Sequence, residues 1–159
     1  MGSRLSVDRA YIAGFLDGDG SLMLQIKKRS DSKIGVRFMT TICLYQDTRH
    51  EKPLTWMRDV LGIGYVTKRN DGISELRING YKQVHKILSE LAPYIRFKHV
   101  QAQALLEACE ILKETTISTM TKRQQKQLVD LLLVIQNENY TSPRKLSKRE
   151  LYQLLNLTP

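Results

Sequence analysis

Apolar residues recur along this chain with two periods, one near four and one of two, and the changes between them divide it into elements. From about residue 6 to residue 18 the spacing is helical. Ile12, Phe15 and Leu16 form a bulky stripe, while Ala10, Ala13, Gly14 and Asp17 form a smooth one. Ser6 suits the N-cap, and Asp8 stands where its charge favours the helix dipole. At Ser21 the period becomes two. Leu22, Leu24 and Ile26 alternate with Met23, Gln25, Lys27 and Arg29, which predicts a strand with one apolar and one basic face. Ser30 to Lys33 reads as a hairpin loop, and the return strand, Ile34 to Tyr45, points Val36, Phe38, Ile42 and Leu44 inward and Arg37, Met39, Thr41 and Cys43 outward.

After a loop from Gln46 to Lys52, Pro53 opens a short helix that Gly62 ends. Gly64 to Arg69 and Ile73 to Ile78 form a second hairpin around Asn70-Asp71-Gly72, with Tyr65, Thr67, Arg69, Glu75 and Arg77 on its outer face. A third helix spans Gly80 to Leu91, and another covers Lys98 to Glu114. Capping boxes at Thr121 with Gln124 and at Ser147 with Glu150 open two more, to about Gln136 and Asn156, joined by a connector from Tyr140 to Lys145. The order predicts one α+β domain over residues 1–159, with an αββαββα core at about 6–114, a curved antiparallel sheet, and a C-terminal helical extension at about 121–156.

Length and a hydrophobic content of 42% fit a single packed core. Charge narrows the partner: 25 Lys and Arg against 16 Asp and Glu give a formal +9, which favours a polyanion such as nucleic acid. Cys43 and Cys109 lack histidines at ligand spacing, so a zinc site is not expected and an intracellular, reducing compartment is, whether organellar or prokaryotic. No run is long enough to span a membrane, and Met1 to Arg4 reads as an expression scar rather than a signal peptide. Nothing matches a nucleophile triad or a phosphate loop.

Two features carry chemistry. The alternate donors Gln25, Lys27, Arg29, Arg37, Arg69 and Arg77 suit a ribbon laid in a major groove, where Arg reads guanine and Gln reads adenine; Thr41, Cys43 and Met39 would add apolar contacts. A merely solvated strand face is the alternative. The second feature is Asp17-Gly18-Asp19-Gly20. Carboxylates at a helix C-terminus oppose the dipole at a cost of about 0.3–1 kcal/mol. A divalent cation bound by Asp19 and the Gly18 carbonyl would relieve that conflict; a Gly-terminated helix followed by an Asp-Gly turn accounts for the same residues without a ligand.

Tyr11 followed by Ile-Ala-Gly-Phe-Leu-Asp-Gly-Asp-Gly resembles the LAGLIDADG motif. The order of elements behind it is similar to single-motif LAGLIDADG homing endonucleases, over about Ala10 to Leu106. The resemblance implies a homodimer through paired motif helices, with Ala10, Ala13 and Gly14 in the contact and Asp17 a structural or capping residue there. It implies Asp19 and the Gly18 carbonyl as ligands of Mg²⁺, with Mn²⁺ or Ca²⁺ as substitutes in binding, and Gln46 and Lys98 as catalytic partners that order water and face the scissile phosphate. Thr67 and Glu75 join the DNA-binding positions. His50 falls where relatives carry a basic pocket residue, and its role stays open. The implied activity is a double-strand break in a long, roughly palindromic DNA target. An RNA-binding intron maturase and a cleavage-dead DNA-binding regulator remain alternatives, against which Asp19, Gln46 and Lys98 together favour the nuclease.

Overall fold

The computed structural model describes residues 4–31, 33–139 and 144–158. Helix α1, Arg4–Asp19, leads straight into strand β1, Gly20–Lys28. That junction needs glycine, because a Cβ on Gly20 would lie 2.8 Å from the backbone oxygen of Leu16. Strand β2 is Val36–Asp47, followed by a 3-10 turn at Thr48–His50 and helix α2, Lys52–Leu61. Gly62 closes α2 in the left-handed region, φ +69, with its N–H on the Arg58 carbonyl. Strands β3, Tyr65–Lys68, and β4, Ile73–Asn79, then precede α3, Tyr81–Leu91, α4, His99–Glu114, α5, Lys122–Glu138, and α6, Lys148–Leu154.

The strands form one antiparallel sheet in the order β1-β2-β4-β3. Its register places Leu22 opposite Ile42 and Leu44 opposite Leu76, so the inner face is apolar. Onto that face pack Ile12 and Leu16 of α1, Leu54 and Met57 of α2, Val84, Ile87 and Leu88 of α3, and Leu105 of α4 in one buried cluster. Helix α5 lies along β1, and Asn139 just beyond it donates from Nδ2 to the Leu22 carbonyl at 3.1 Å. The predicted capping boxes at Thr121 and Ser147 are both formed.

The element order follows the periodicity; several bounds differ. Helix α1 starts at Arg4 rather than being capped at Ser6, which moves Asp8 out of its first turn. Strand β2 extends two residues past Tyr45, so Gln46 is inside the strand rather than after it. Arg69 falls beyond β3, in the turn, where it pairs with Asp71. Of the predicted loops, Ser32 and residues 140–143 lie outside the described residues, as do Met1 to Ser3.

Candidate active site and nucleic-acid face

The carboxylates that conflict with the α1 dipole have different fates. Asp17 is buried, and its oxygens accept the backbone N–H groups of Arg96 at 2.7 Å, Phe97 at 3.3 Å and Lys98 at 3.0 Å. These consecutive amides lead into α4, whose N-cap residue Lys98 supplies no side-chain cap of its own. Lys98 replies by donating from Nζ to the Asp17 carbonyl, one of the orphan acceptors in the last turn of α1. A cation at a helix C-terminus is favourable, so the pair removes most of the conflict at Asp17.

Asp19 keeps its conflict. It is exposed, and among the described residues no donor or cation bonds to its carboxylate, although its charge acts on Lys98. Burial lowers the pKa of Lys98 from the usual lysine value, and Asp17 and Asp19 pull it back only in part. Beside Asp19, Gly18 is exposed with open space where a Cβ would be. The β1–β2 pairing ends at Gly20 opposite Leu44, so Gln46 flanks this junction two residues further along β2. Its Oε1 accepts the Asp47 N–H at 2.8 Å.

Oxygen donors of this kind suit a hard divalent cation. Yet among the described residues no three His, Cys, Asp or Glu side chains converge to hold a metal ion. His50 is exposed at the end of its 3-10 turn and acts weakly on Asp47, whose carboxyl the Arg49 side chain and N–H hold far below the usual range.

The smooth stripe of α1 is not a single surface. Ala13 has no exposed area and belongs to the chain's own core, Ala10 is half-buried, and the Asp17 carboxylate is engaged within the chain. Ala13 and Asp17 are therefore corrected from interface positions to internal ones. The exposed line runs instead through Val7, Tyr11, Gly14 and Gly18, at spacings of four, three and four. Tyr11 meets Trp56 of α2 edge to face, ring centroids 5.7 Å apart, over an apolar groove that includes Val7 and Pro53. Phe97, before α4, is 83% exposed. These apolar residues escaped the sequence reading; the four-residue spacing of Val7 and Tyr11 beside Gly14 was the available signal.

On the outer sheet face Lys27, Arg37 and Thr67 are exposed and Gln25 and Arg77 are half-buried, while Arg29 and Arg69 are exposed just past the ends of β1 and β3. Arg29 and Arg69 pair with Asp31 and Asp71 respectively, surface pairs worth little in stability. Thr41 and Cys43, expected to meet bases, have no exposed area, and Glu75 is 8% exposed. They are corrected to a buried polar layer beneath the donors: Thr41 bonds Asn79, and Cys43 and Arg77 both meet Glu75.

Residues 12–99 match the LAGLIDADG endonuclease family model. The chain belongs to the LAGLIDADG endonuclease family. It is 34% identical over 106 residues to the DNA endonuclease I-CvuI of Chlorella vulgaris, a match covering 67% of this chain and 66% of that one. It is also 34% identical over 102 residues to the DNA endonuclease I-CreI of Chlamydomonas reinhardtii, covering 64% and 62%. The aligned part thus spans just under two thirds of these relatives' length. The crystal structure of I-CvuI with the I-CreI target and 2 mM Mg, its DNA uncleaved, superposes with a TM-score of 0.79 at 25% identity, over 96% of this chain and 94% of that one. An archaeal intron-encoded homing endonuclease, I-Vdi141I, complexed with DNA, shares the fold at a TM-score of 0.80 and 20% identity, over 94% and 95%. Among the described residues no helix is long and apolar enough to cross a membrane.

Replacing Asp17 by Ala leaves three backbone amides without their shared acceptor, while the main-chain carbonyl that accepts the Lys98 ammonium remains. A loss of about 2 kcal/mol or more is expected in urea unfolding; a variant as stable as the parent would contradict the cap.

Proposed function

We propose that the protein is a site-specific DNA endonuclease that acts as a homodimer and makes a double-strand break in a long, roughly palindromic target by divalent-metal-dependent hydrolysis. The observation that carries this is the exposed, unpaired Asp19 carboxylate at the end of a helix whose open side presents Gly14 and Gly18. Two such helices in close contact along the Val7, Tyr11, Gly14 and Gly18 line would bring both Asp19 side chains to one place. The apolar groove at Tyr11 and Trp56 and the bare Phe97 ring supply area for the contact. A two-fold axis between the chains implies a two-fold target.

In the reaction Asp19 and the Gly18 carbonyl would hold the cation against a phosphate. Bound there, Mg²⁺, with Mn²⁺ or Ca²⁺ able to replace it in binding, would supply Lewis acidity toward the phosphate and the attacking water. Gln46, at the same junction, orients that water through its amide. Lys98 stands beside Asp19 as an ammonium and offsets charge that develops on the phosphate. The relatives' complexes with DNA, and the Mg or Ca with which I-CvuI was crystallised, support the substrate and the metal class. A basic sheet would also serve intron RNA, but RNA binding gives Asp19 no task.

The direct test is to select bound duplexes from a random library, then add Mg²⁺ and look for two defined fragments. Asp19→Asn should lower cleavage by roughly 10³-fold or more while binding stays near the parental level; cleavage at the parental rate would refute the metal-holding role. Gly14→Leu meets open space within one chain, so the protomer should fold normally and sediment as a monomer. A full dimer would refute contact along the Gly14 line. Because burial lowers the Lys98 pKa, its ammonium loses the proton at lower pH than a free lysine, and cleavage should decline on the alkaline side. In Lys98→Arg the cation persists, and the decline should move to higher pH. Superimposable alkaline limbs in the pH-rate profiles would exclude a cationic role.

A further inference from the structure

We infer that Glu75 is a positioning residue that holds Arg77 side-on so that the outer edge of its guanidinium reads guanine, and that Glu75 itself does not touch DNA. The inference rests on the DNA-binding reading of the sheet. Glu75 sits at the middle of the outer face, with Tyr45 on one neighbouring strand and Thr67 on the other. It is 8% exposed and both its oxygens are engaged. Oε1 accepts from Arg77 Nε at 3.1 Å and Nη2 at 2.9 Å, and Oε2 accepts from the Cys43 thiol at 3.7 Å.

A carboxylate beneath a polyanion is unfavourable unless it serves a cation. Here it serves one in a defined pose. Of the five guanidinium N–H groups, the one on Nε and one on Nη2 face Glu75. Of the remaining three, one on Nη1 and one on Nη2 lie side by side along the end of the group, the edge that makes the two bonds to O6 and N7 of guanine. The surroundings fix this pose. Cys43 lies opposite Arg77 in register and, with burial pushing its thiol up to about 11, stays a neutral donor to Glu75. On the far side Tyr65 is opposite Arg77, its hydroxyl bonded by Asn79 at 2.8 Å, and Asn79 in turn accepts from Thr41 at 2.7 Å. An unheld arginine must lose rotamer freedom on docking; one ordered in the free protein has already lost it.

The test is library selection with the full chain carrying Asp19→Asn, so that bound DNA is not cut, alone and combined with Arg77→Ala, Glu75→Ala or Glu75→Gln. Arg77→Ala should erase a guanine preference at one base pair of each half-site. Glu75→Ala should weaken the same preference about tenfold. Its affinity for random-sequence DNA should hold or rise, because a negative charge has been removed. Glu75→Gln keeps an oxygen for Arg77 without the charge and should fall between, with an unchanged melting temperature. A Glu75→Ala variant that keeps guanine at the Arg77-dependent pair, or that loses preference evenly at every pair together with random-sequence affinity, would overturn the positioning role. Failure of the Asp19→Asn parent to bind any duplex has a different signature and would overturn the DNA-binding reading, and this inference with it.

Discussion

One carboxylate from the first helix, on the three amides that begin the fourth, is the contact on which the site depends. Asp17 reaches across about eighty residues of sequence to Arg96, Phe97 and Lys98. It does for α4 what a local N-cap would do, and it fixes the start of α4 against the end of α1. Without that contact the ammonium of Lys98 would have no reason to lie beside Asp19. With it, a helix terminus that carries two misplaced negative charges becomes one in which a single charge is satisfied internally and the other faces outward.

The sheet repeats this division between what is satisfied within the chain and what is offered outward. Its inner face is apolar and sealed by helices, as an antiparallel sheet with one solvated face requires. Its outer face has depth: Thr41, Cys43 and Glu75 form a bonded floor, and longer donors such as Lys27, Arg37 and Arg77 rise from it. A buried polar layer is tolerable only when its members are paired: Thr41 bonds Asn79 and Cys43 bonds Glu75 across strands, while Glu75 meets Arg77 along its own strand.

Alternation of residue type shows which way a strand side chain points, but not whether long neighbours will cover it. For that reason the sequence placed Thr41, Cys43 and Glu75 on the correct face and at the wrong depth. The same limit explains Ala13. Ala and Gly at helical spacing mark a smooth stripe, yet a methyl group suits a tight core as well as an interface, and the boundary between the two runs between Ala13 and Gly14. The exposed line needed Val7 and Tyr11, whose size suggests core until the packed helices leave them outside. Asp19 was legible because its charge opposes the helix dipole in sequence and fold alike. The partners of Asp17 were not, since a contact over that distance depends on the tertiary path of α3 and α4.

Asn139 has a consequence for how copies of the chain can meet. An edge strand ordinarily invites another strand to extend the sheet, because its outward carbonyls and amides are free. At β1 the amide of Asn139 occupies the Leu22 carbonyl and α5 lies alongside. At the opposite edge β3 has only four residues, preceded by Gly64 at φ +104, which breaks the extended path. Intermolecular strand pairing is thereby discouraged at both margins, and the basic sheet is left with helix packing as its route to self-association.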